Sequence, residues 1–123
     1  MILGLGTDIA EVPRILKSIE NPAFRKKVFS ENEISYCETK TNKAENYAAR
    51  FAAKEAFFKA LGTGWRGGMA FHEVEVVNDE LGKPSIQLLG KTAEQVQEKN
   101  IKHIHVSLTH IKDVALATVI LEG

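Results

Sequence analysis

Arg50-Phe51-Ala52-Ala53-Lys54-Glu55-Ala56-Phe57-Phe58-Lys59-Ala60-Leu61-Gly62-Thr63-Gly64 reads as a helix that runs into a glycine stop. Nearly every residue before Gly62 is a good or tolerable helix former, and no proline interrupts the run. On a helical wheel Ala49, Ala52, Ala53, Ala56 and Ala60 gather within an arc of roughly 100°. A face that small lets a helix axis lie close against a sheet. Tyr47, Phe51 and Phe58 collect on another side. Glu55 and Lys59 fall between the two apolar faces, one turn apart. Charges are costly to bury unless they are paired or bind something. Two readings of this pair stand: an i,i+4 ion pair with Glu N-terminal to Lys, or groups kept for a ligand.

Working outward, the helix should start near Lys43, after a polar loop over residues 39–42. Ser30-Glu31-Asn32-Glu33 has the form of a capping box, which predicts a helix over residues 31–38. Residues 22–28 form a short basic amphipathic segment with Arg25, Lys26 and Lys27 in sequence, a solvated face or a surface for an acidic partner. The chain opens with a short, glycine-punctuated apolar stretch, residues 2–7, read as a strand whose Gly4 and Gly6 permit close backbone approach. It ends at Asp8. An acid there is either a helix N-cap or turn residue, or a cation ligand or base. Pro13 suits the first turn of a short helix that continues to Ile19.

Beyond the central helix, Gly62-Thr63-Gly64-Trp65-Arg66-Gly67-Gly68 holds more glycine than a C-cap requires. Its backbone N–H groups can face a phosphate, although it lacks the P-loop pattern. Residues 71–77 and 84–89 read as strands joined by a turn, with Pro84 tolerated at a strand start. Thr92-Ala93-Glu94-Gln95 resembles a second capping box, opening a helix to about Asn100. Residues 103–108 and 114–121 are two further strands. Ile104, Val106 and Leu108 point one way in the first, and His103, His105 and Ser107 the other. The last strand is apolar on both faces, so it should be central or lie at an interface. The pattern is α+β: a largely antiparallel sheet with helices packed on one face, in a single domain over residues 1–123.

The 123 residues suffice for one domain with a real core. Lys plus Arg and Asp plus Glu both number 16, so no basic excess points to nucleic acid, and a charged partner must meet a local patch. The single cysteine, Cys37, allows neither an intrachain disulfide nor a thiolate metal site. It sits in a polar helix with no adjacent His and is discounted as a nucleophile. No signal peptide is read at the start, where Asp8 comes early and a basic leader is missing. No apolar run approaches a membrane span. A cytoplasmic location without membrane contact is expected.

What remains for chemistry is Asp8, Arg50, Lys54, Glu55, Lys59, His105 and the glycine-rich turn. Two carboxylates without cysteine or a His triad suit magnesium, which takes oxygen ligands, keeps waters and draws its other oxygens from substrate phosphates. Lys and Arg one helical turn away pair with the same phosphates. A phosphate-ester or pyrophosphate substrate is therefore allowed.

Three blocks carry a resemblance: Gly4-Leu5-Gly6-Thr7-Asp8-Ile9-Ala10-Glu11-Val12-Pro13-Arg14, the Arg50 to Gly64 stretch, and His105-Val106-Ser107-Leu108-Thr109-His110. In order and spacing they resemble the holo-[acyl-carrier-protein] synthases, a family of 4'-phosphopantetheinyl transferases. The family moves phosphopantetheine from coenzyme A to a serine of acyl carrier protein and releases adenosine 3',5'-bisphosphate, in support of fatty acid biosynthesis. The resemblance implies metal ligation by Asp8 and Glu55, with Mg2+ as cofactor, and a catalytic trio of Asp8, Glu55 and Lys59. It implies coenzyme contacts by Arg50, Lys54, Gly62, Thr63, Gly64, Lys83, Pro84 and His105, and a carrier-facing Arg14. It also implies a homotrimer with active sites between protomers. Ala49 departs from a frequent glycine of the family. A non-catalytic trimeric module that binds coenzyme A or nucleotide is the alternative, against which the acid pair argues.

Overall fold

In the computed structural model, which describes residues 1–63 and 67–123, the small-residue face of the central helix meets the first strand directly. Strand β1 spans Ile2–Glu11 and pairs antiparallel with β5, Val114–Glu122, which in turn pairs antiparallel with β4, His103–His110. The sheet order is β1-β5-β4, so the last strand is central, as its two apolar faces predict. Helix α4, Lys43–Leu61, lies across this sheet. Ala52, Ala53, Ala56 and Ala60 are buried against it, together with Ala115, Ala117, Val119 and Leu121 of β5. A Cβ added at Gly4 would run into the Ala60 carbonyl, and one at Gly6 into the Ala56 carbonyl. The glycines and alanines are thus a matched pair of surfaces, and backbone rests on backbone. Gly62 ends the helix in the left-handed conformation, φ 79°, with its N–H on the Lys59 carbonyl.

The other elements wrap the far side of α4. They are α1 (Val12–Ser18), α2 (Pro22–Val28), α3 (Glu31–Glu38), a two-stranded ribbon of β2 (Val74–Asn78) and β3 (Pro84–Leu88), and α5 (Gly90–Gln97). Phe24, Phe51, Phe71 and Phe58 stand in successive ring contacts, with centroids 5.2–6.4 Å apart, and fill the space between α4 and this layer. The capping box of α3 forms as predicted. The Glu33 N–H donates to Ser30 Oγ, and the Ser30 N–H donates to Glu33 Oε1.

Four expectations are corrected. The single sheet resolves into a three-stranded sheet and a separate ribbon, all antiparallel. Strand β1 runs through Asp8 to Glu11, because its pairing with β5 continues to Glu11 opposite Val114; Asp8 is neither a cap nor a turn residue. Residues Phe71–Glu73 form a 3-10 turn instead of strand, since the Lys54 ammonium collects the carbonyls of Phe71 and Val74 and curls the backbone around itself. The second capping box is absent. Thr92 lies buried inside α5, where its hydroxyl donates to Glu73 Oε1 at 2.8 Å and accepts from the Ala70 N–H at 3.0 Å.

Among the described residues, no helix covers the outer face of the three-stranded sheet. Leu5 and Ile120, then Ile9 and Leu116, sit side by side in register across β1 and β5. Leu5 and Ile9 are 65% and 63% exposed. The two chain ends meet at one edge, where the Gly123 N–H donates to the Met1 carbonyl at 2.9 Å.

Replacing Gly6 by Ala must push α4 off the sheet. Overpacking of this kind costs about 1–3 kcal/mol. A thermal melt of Gly6→Ala is expected to fall several degrees below wild type, while Leu81→Ala, at a site 96% exposed, should melt unchanged. Equal melting points for Gly6→Ala and wild type would mean the helix does not rest on that glycine.

Candidate active site

The close helix–strand contact fixes what meets across it. Asp8 lies opposite Ala117 in the β1–β5 register, a buried position on the helix-facing side of the sheet, so its carboxylate points toward α4. Glu55 and Lys59, one turn apart on that helix, stand beside it. Lys59 Nζ reaches across to Asp8 Oδ1 at 2.9 Å and to the Thr7 carbonyl at 3.1 Å. Of the two readings of Glu55 and Lys59, the ion pair within the helix gives way to a bridge between helix and strand. Burial, reinforced by the Asp8 charge, pushes the Glu55 carboxyl above the usual carboxylate range. The hydrogen bond to Asp8 and its charge hold the Lys59 ammonium above its usual value. Lys59 thus bonds Asp8, while Glu55 stands close enough to feel both charges.

Asp8 and Glu55 open into a cleft of 670 Å³ between β1, α1 and α4. Phe24, Phe51 and Ile15 supply apolar walls, and Glu11 and Arg14 stand on the rim, their charges 3.7 Å apart. No group of three or more His, Cys, Asp or Glu able to hold a metal exists among the described residues. The donor set is a carboxylate pair, which suits a hard cation that completes its shell with water and substrate oxygens.

A second pocket, of 230 Å³, lies between the ribbon, α3, α4 and β4. Arg50, Asn78, Gly82, Pro84, Tyr36 and His110 line it. The Arg50 guanidinium stacks 4.3 Å from the Tyr36 ring centre and donates through Nη2 to Asn78 Oδ1. Its Nε is buried with no hydrogen-bond partner among the described residues. His110 is held by Glu45 at 2.8 Å.

With both sites in view, relatives can be compared. The family model of the 4'-phosphopantetheinyl transferase superfamily matches residues 4–119. The chain belongs to this superfamily. It is 48% identical over 125 residues to a holo-[acyl-carrier-protein] synthase of Solibacter usitatus, covering all of both chains. It is likewise 48% identical over 124 residues to one from Clostridium tetani, covering 100% of this chain and 98% of that one. Among solved structures, holo-[acyl-carrier-protein] synthase from Neisseria meningitidis superposes with a TM-score of 0.92 at 34% identity, each chain covered completely. A Bacillus anthracis synthase in complex with CoA (3',5'-ADP) gives 0.83 at 36% identity, covering 100% of this chain and 98% of that one. The α+β fold expected from the sequence is that of these transferases.

Within this transferase fold the residues singled out from sequence divide into groups. Asp8, Glu55 and Lys59 come together, with Arg14 on the rim of the same cleft. Arg50 and Pro84 line the second pocket, and Lys83 is exposed beside it. Gly62 and Thr63 are exposed at the end of α4, and Gly64 lies outside the described residues. His105 is on β4, on the outer face, bonded to Glu122 at 2.9 Å. It faces away from α4 and is separated from β1 by β5, so one chain does not bring it to Asp8. The expected phosphate contact of Lys54 is corrected: this side chain is fully buried, 2.7 Å from Glu33 Oε1, with the Phe71 and Val74 carbonyls as its other acceptors. Tyr36, Asn78 and His110 were not anticipated. His110 ends the third of the quoted blocks, and Asn78 is the register partner of Pro84 at the ends of β2 and β3.

Removing one partner of a buried pair strands the other charge and costs about 3–5 kcal/mol. Lys54→Met should therefore unfold at markedly lower denaturant than wild type, and Lys59→Met should unfold with wild type. Urea titrations followed by circular dichroism read both. The opposite order would exchange the structural and functional roles of the two lysines.

Proposed function

We propose that the protein transfers 4'-phosphopantetheine from coenzyme A to a serine hydroxyl of an apo-acyl carrier protein, releasing adenosine 3',5'-bisphosphate. The observation that carries this reading is the meeting of Asp8, Glu55 and Lys59 at the head of an open cleft, in a chain that matches synthases of this name along its whole length. In the reaction the serine oxygen forms a bond to the β-phosphorus of coenzyme A, and the bond from that phosphorus to the bridging oxygen breaks. Asp8 and Glu55 would hold Mg2+, which when bound supplies positive charge against the pyrophosphate. Lys59, tethered at the same spot, pairs with the departing phosphate and can give it a proton. The serine's proton goes to a carboxylate of the pair or to water.

The second pocket suits the nucleotide end. Arg50 offers its guanidinium there, with Lys83 and Pro84 at the mouth. Arg14, 83% exposed in its side chain, is the cation offered to an acidic carrier. Because Asp8 and His105 occupy opposite faces of one sheet, we assign them to neighbouring protomers of a homotrimer, with the exposed apolar face around Leu5, Ile9 and Leu116 against its mates. The cytoplasm, where coenzyme A and carrier proteins are found, is the proposed location.

Incubation with coenzyme A, MgCl2 and an apo-carrier protein should add one phosphopantetheine to the carrier, read by intact-protein mass spectrometry. Asp8→Ala and Glu55→Ala should each lower the rate at least about 100-fold, as loss of charge stabilisation in a transition state does, with circular dichroism unchanged. Coenzyme binding without any mass gain would leave a binding module in place of the enzyme.

Light scattering should give three chains per particle at micromolar concentration. Mixing inactive Asp8→Ala with weakened His105→Ala by joint refolding should restore part of the activity, since some interfaces then combine two intact halves. A trimer that mixes but recovers nothing would put both residues in one protomer's site, and a monomer would dismiss the shared site.

A further inference from the structure

Lys59 has a nearer acidic neighbour in sequence than the one it holds. Glu55 is four residues before it on the same helix, in the favoured orientation for an ion pair. Its ammonium instead crosses to Asp8 Oδ1 and the Thr7 carbonyl. The two ends of this bridge differ in freedom. The Asp8 side chain is 17% exposed and fixed on a strand at a helix-facing position, whereas that of Lys59 is 55% exposed at the end of a four-carbon stem. Asp8 therefore needs a cation at hand, and Lys59 can leave for solvent at small cost.

We propose that Lys59 is the resident cation of the ligand-free site, occupying Asp8 until a divalent metal displaces it, so that metal and coenzyme load together. The proposal rests on the reading above, in which Asp8 and Glu55 hold the metal. Counted formally, two carboxylates stand against the Lys59 ammonium, an excess of one negative charge. A divalent cation arriving alone converts this to one positive charge in excess and sends the displaced ammonium to solvent, without an anionic acceptor. A cation arriving with a pyrophosphate brings that acceptor with it. Free and coenzyme-bound metal both break the Lys59–Asp8 bridge, and only the latter brings an anion with which Lys59 pairs again. The lysine acts twice: it keeps Asp8 paired in the resting protein and is handed to the substrate phosphate on loading.

The test uses the full-length protein and MgCl2 alone, before coenzyme A is added. In nuclear magnetic resonance spectra, the side-chain ammonium signal of Lys59, slowed in exchange by its two hydrogen bonds, is expected in the metal-free protein. It should shift or vanish as MgCl2 moves the carboxylate carbon signals of Asp8 and Glu55. By calorimetry, Lys59→Met should bind Mg2+ about three- to fivefold more tightly than wild type in the absence of coenzyme, the scale of a partly exposed ion pair. Carboxylate signals that move while the Lys59 signal stays would overturn the displacement and leave the metal site standing. So would equal Mg2+ affinity in the variant and wild type. Carboxylate signals unmoved by MgCl2, with or without coenzyme A, would remove the metal reading itself, and the displacement with it.

Discussion

The contact on which the structure depends is backbone against backbone: the carbonyls of Ala56 and Ala60 over Gly4 and Gly6. It brings α4 so close to β1 that a Cβ on either glycine would strike a helix carbonyl. Only there can a side chain as short as aspartate meet groups that project from the helix. One larger residue on either surface would separate Asp8 from Lys59 by more than a hydrogen bond. The site's geometry is therefore set by residues that carry no chemistry, and the alanine face of α4 is as much part of the candidate site as the acids beside it.

A second constraint holds the far side of the helix. Glu33 caps α3 through the Ser30 N–H, accepts the Val76 N–H on its other oxygen, and neutralises Lys54. One carboxylate thus ties α3, α4 and β2 together. Glu75 beside it is also buried, and accepts from the Ser30 hydroxyl at 2.6 Å. Ion pairs in an interior do not stabilise by default, since desolvation offsets attraction. Here every partner is also hydrogen-bonded, and the network fixes how three elements register against one another. The side of α4 that carries Glu55 and Lys59 is thereby turned toward the cleft.

Local signals in the sequence located α3 and α4 closely, because caps and glycine stops act within one turn. The same logic failed where distant partners decide. Strand β1 continues past Asp8 because β5 is there to pair with it, which no short window displays. The 3-10 turn at Phe71–Glu73 depends on an ammonium seventeen or more residues earlier. Thr92 followed by Glu94 and Gln95 looks like a cap, yet its hydroxyl is claimed by Glu73 from another element. At the site, the types and spacing of Asp8, Glu55 and Lys59 were legible, but which of the two acids Lys59 holds was not. Lys54 illustrates the limit best. Within α4 it and Lys59 are equally plausible phosphate ligands, and only tertiary packing sends one inward and the other to the cleft.

The junction of the two ends has a consequence for how the chain can be rewired. With the Gly123 N–H on the Met1 carbonyl, a few glycines suffice to link the ends into a ring. The ring can be reopened at the tip of the β2–β3 hairpin, where Leu81 is 96% exposed. A circular permutant cut there keeps β1 and β5 adjacent in sequence as well as in space. Its newly joined hairpin would bring Asp8 and the strand that backs it into one contiguous segment, and a label or a fused domain at the new ends would leave from the ribbon instead of from the sheet.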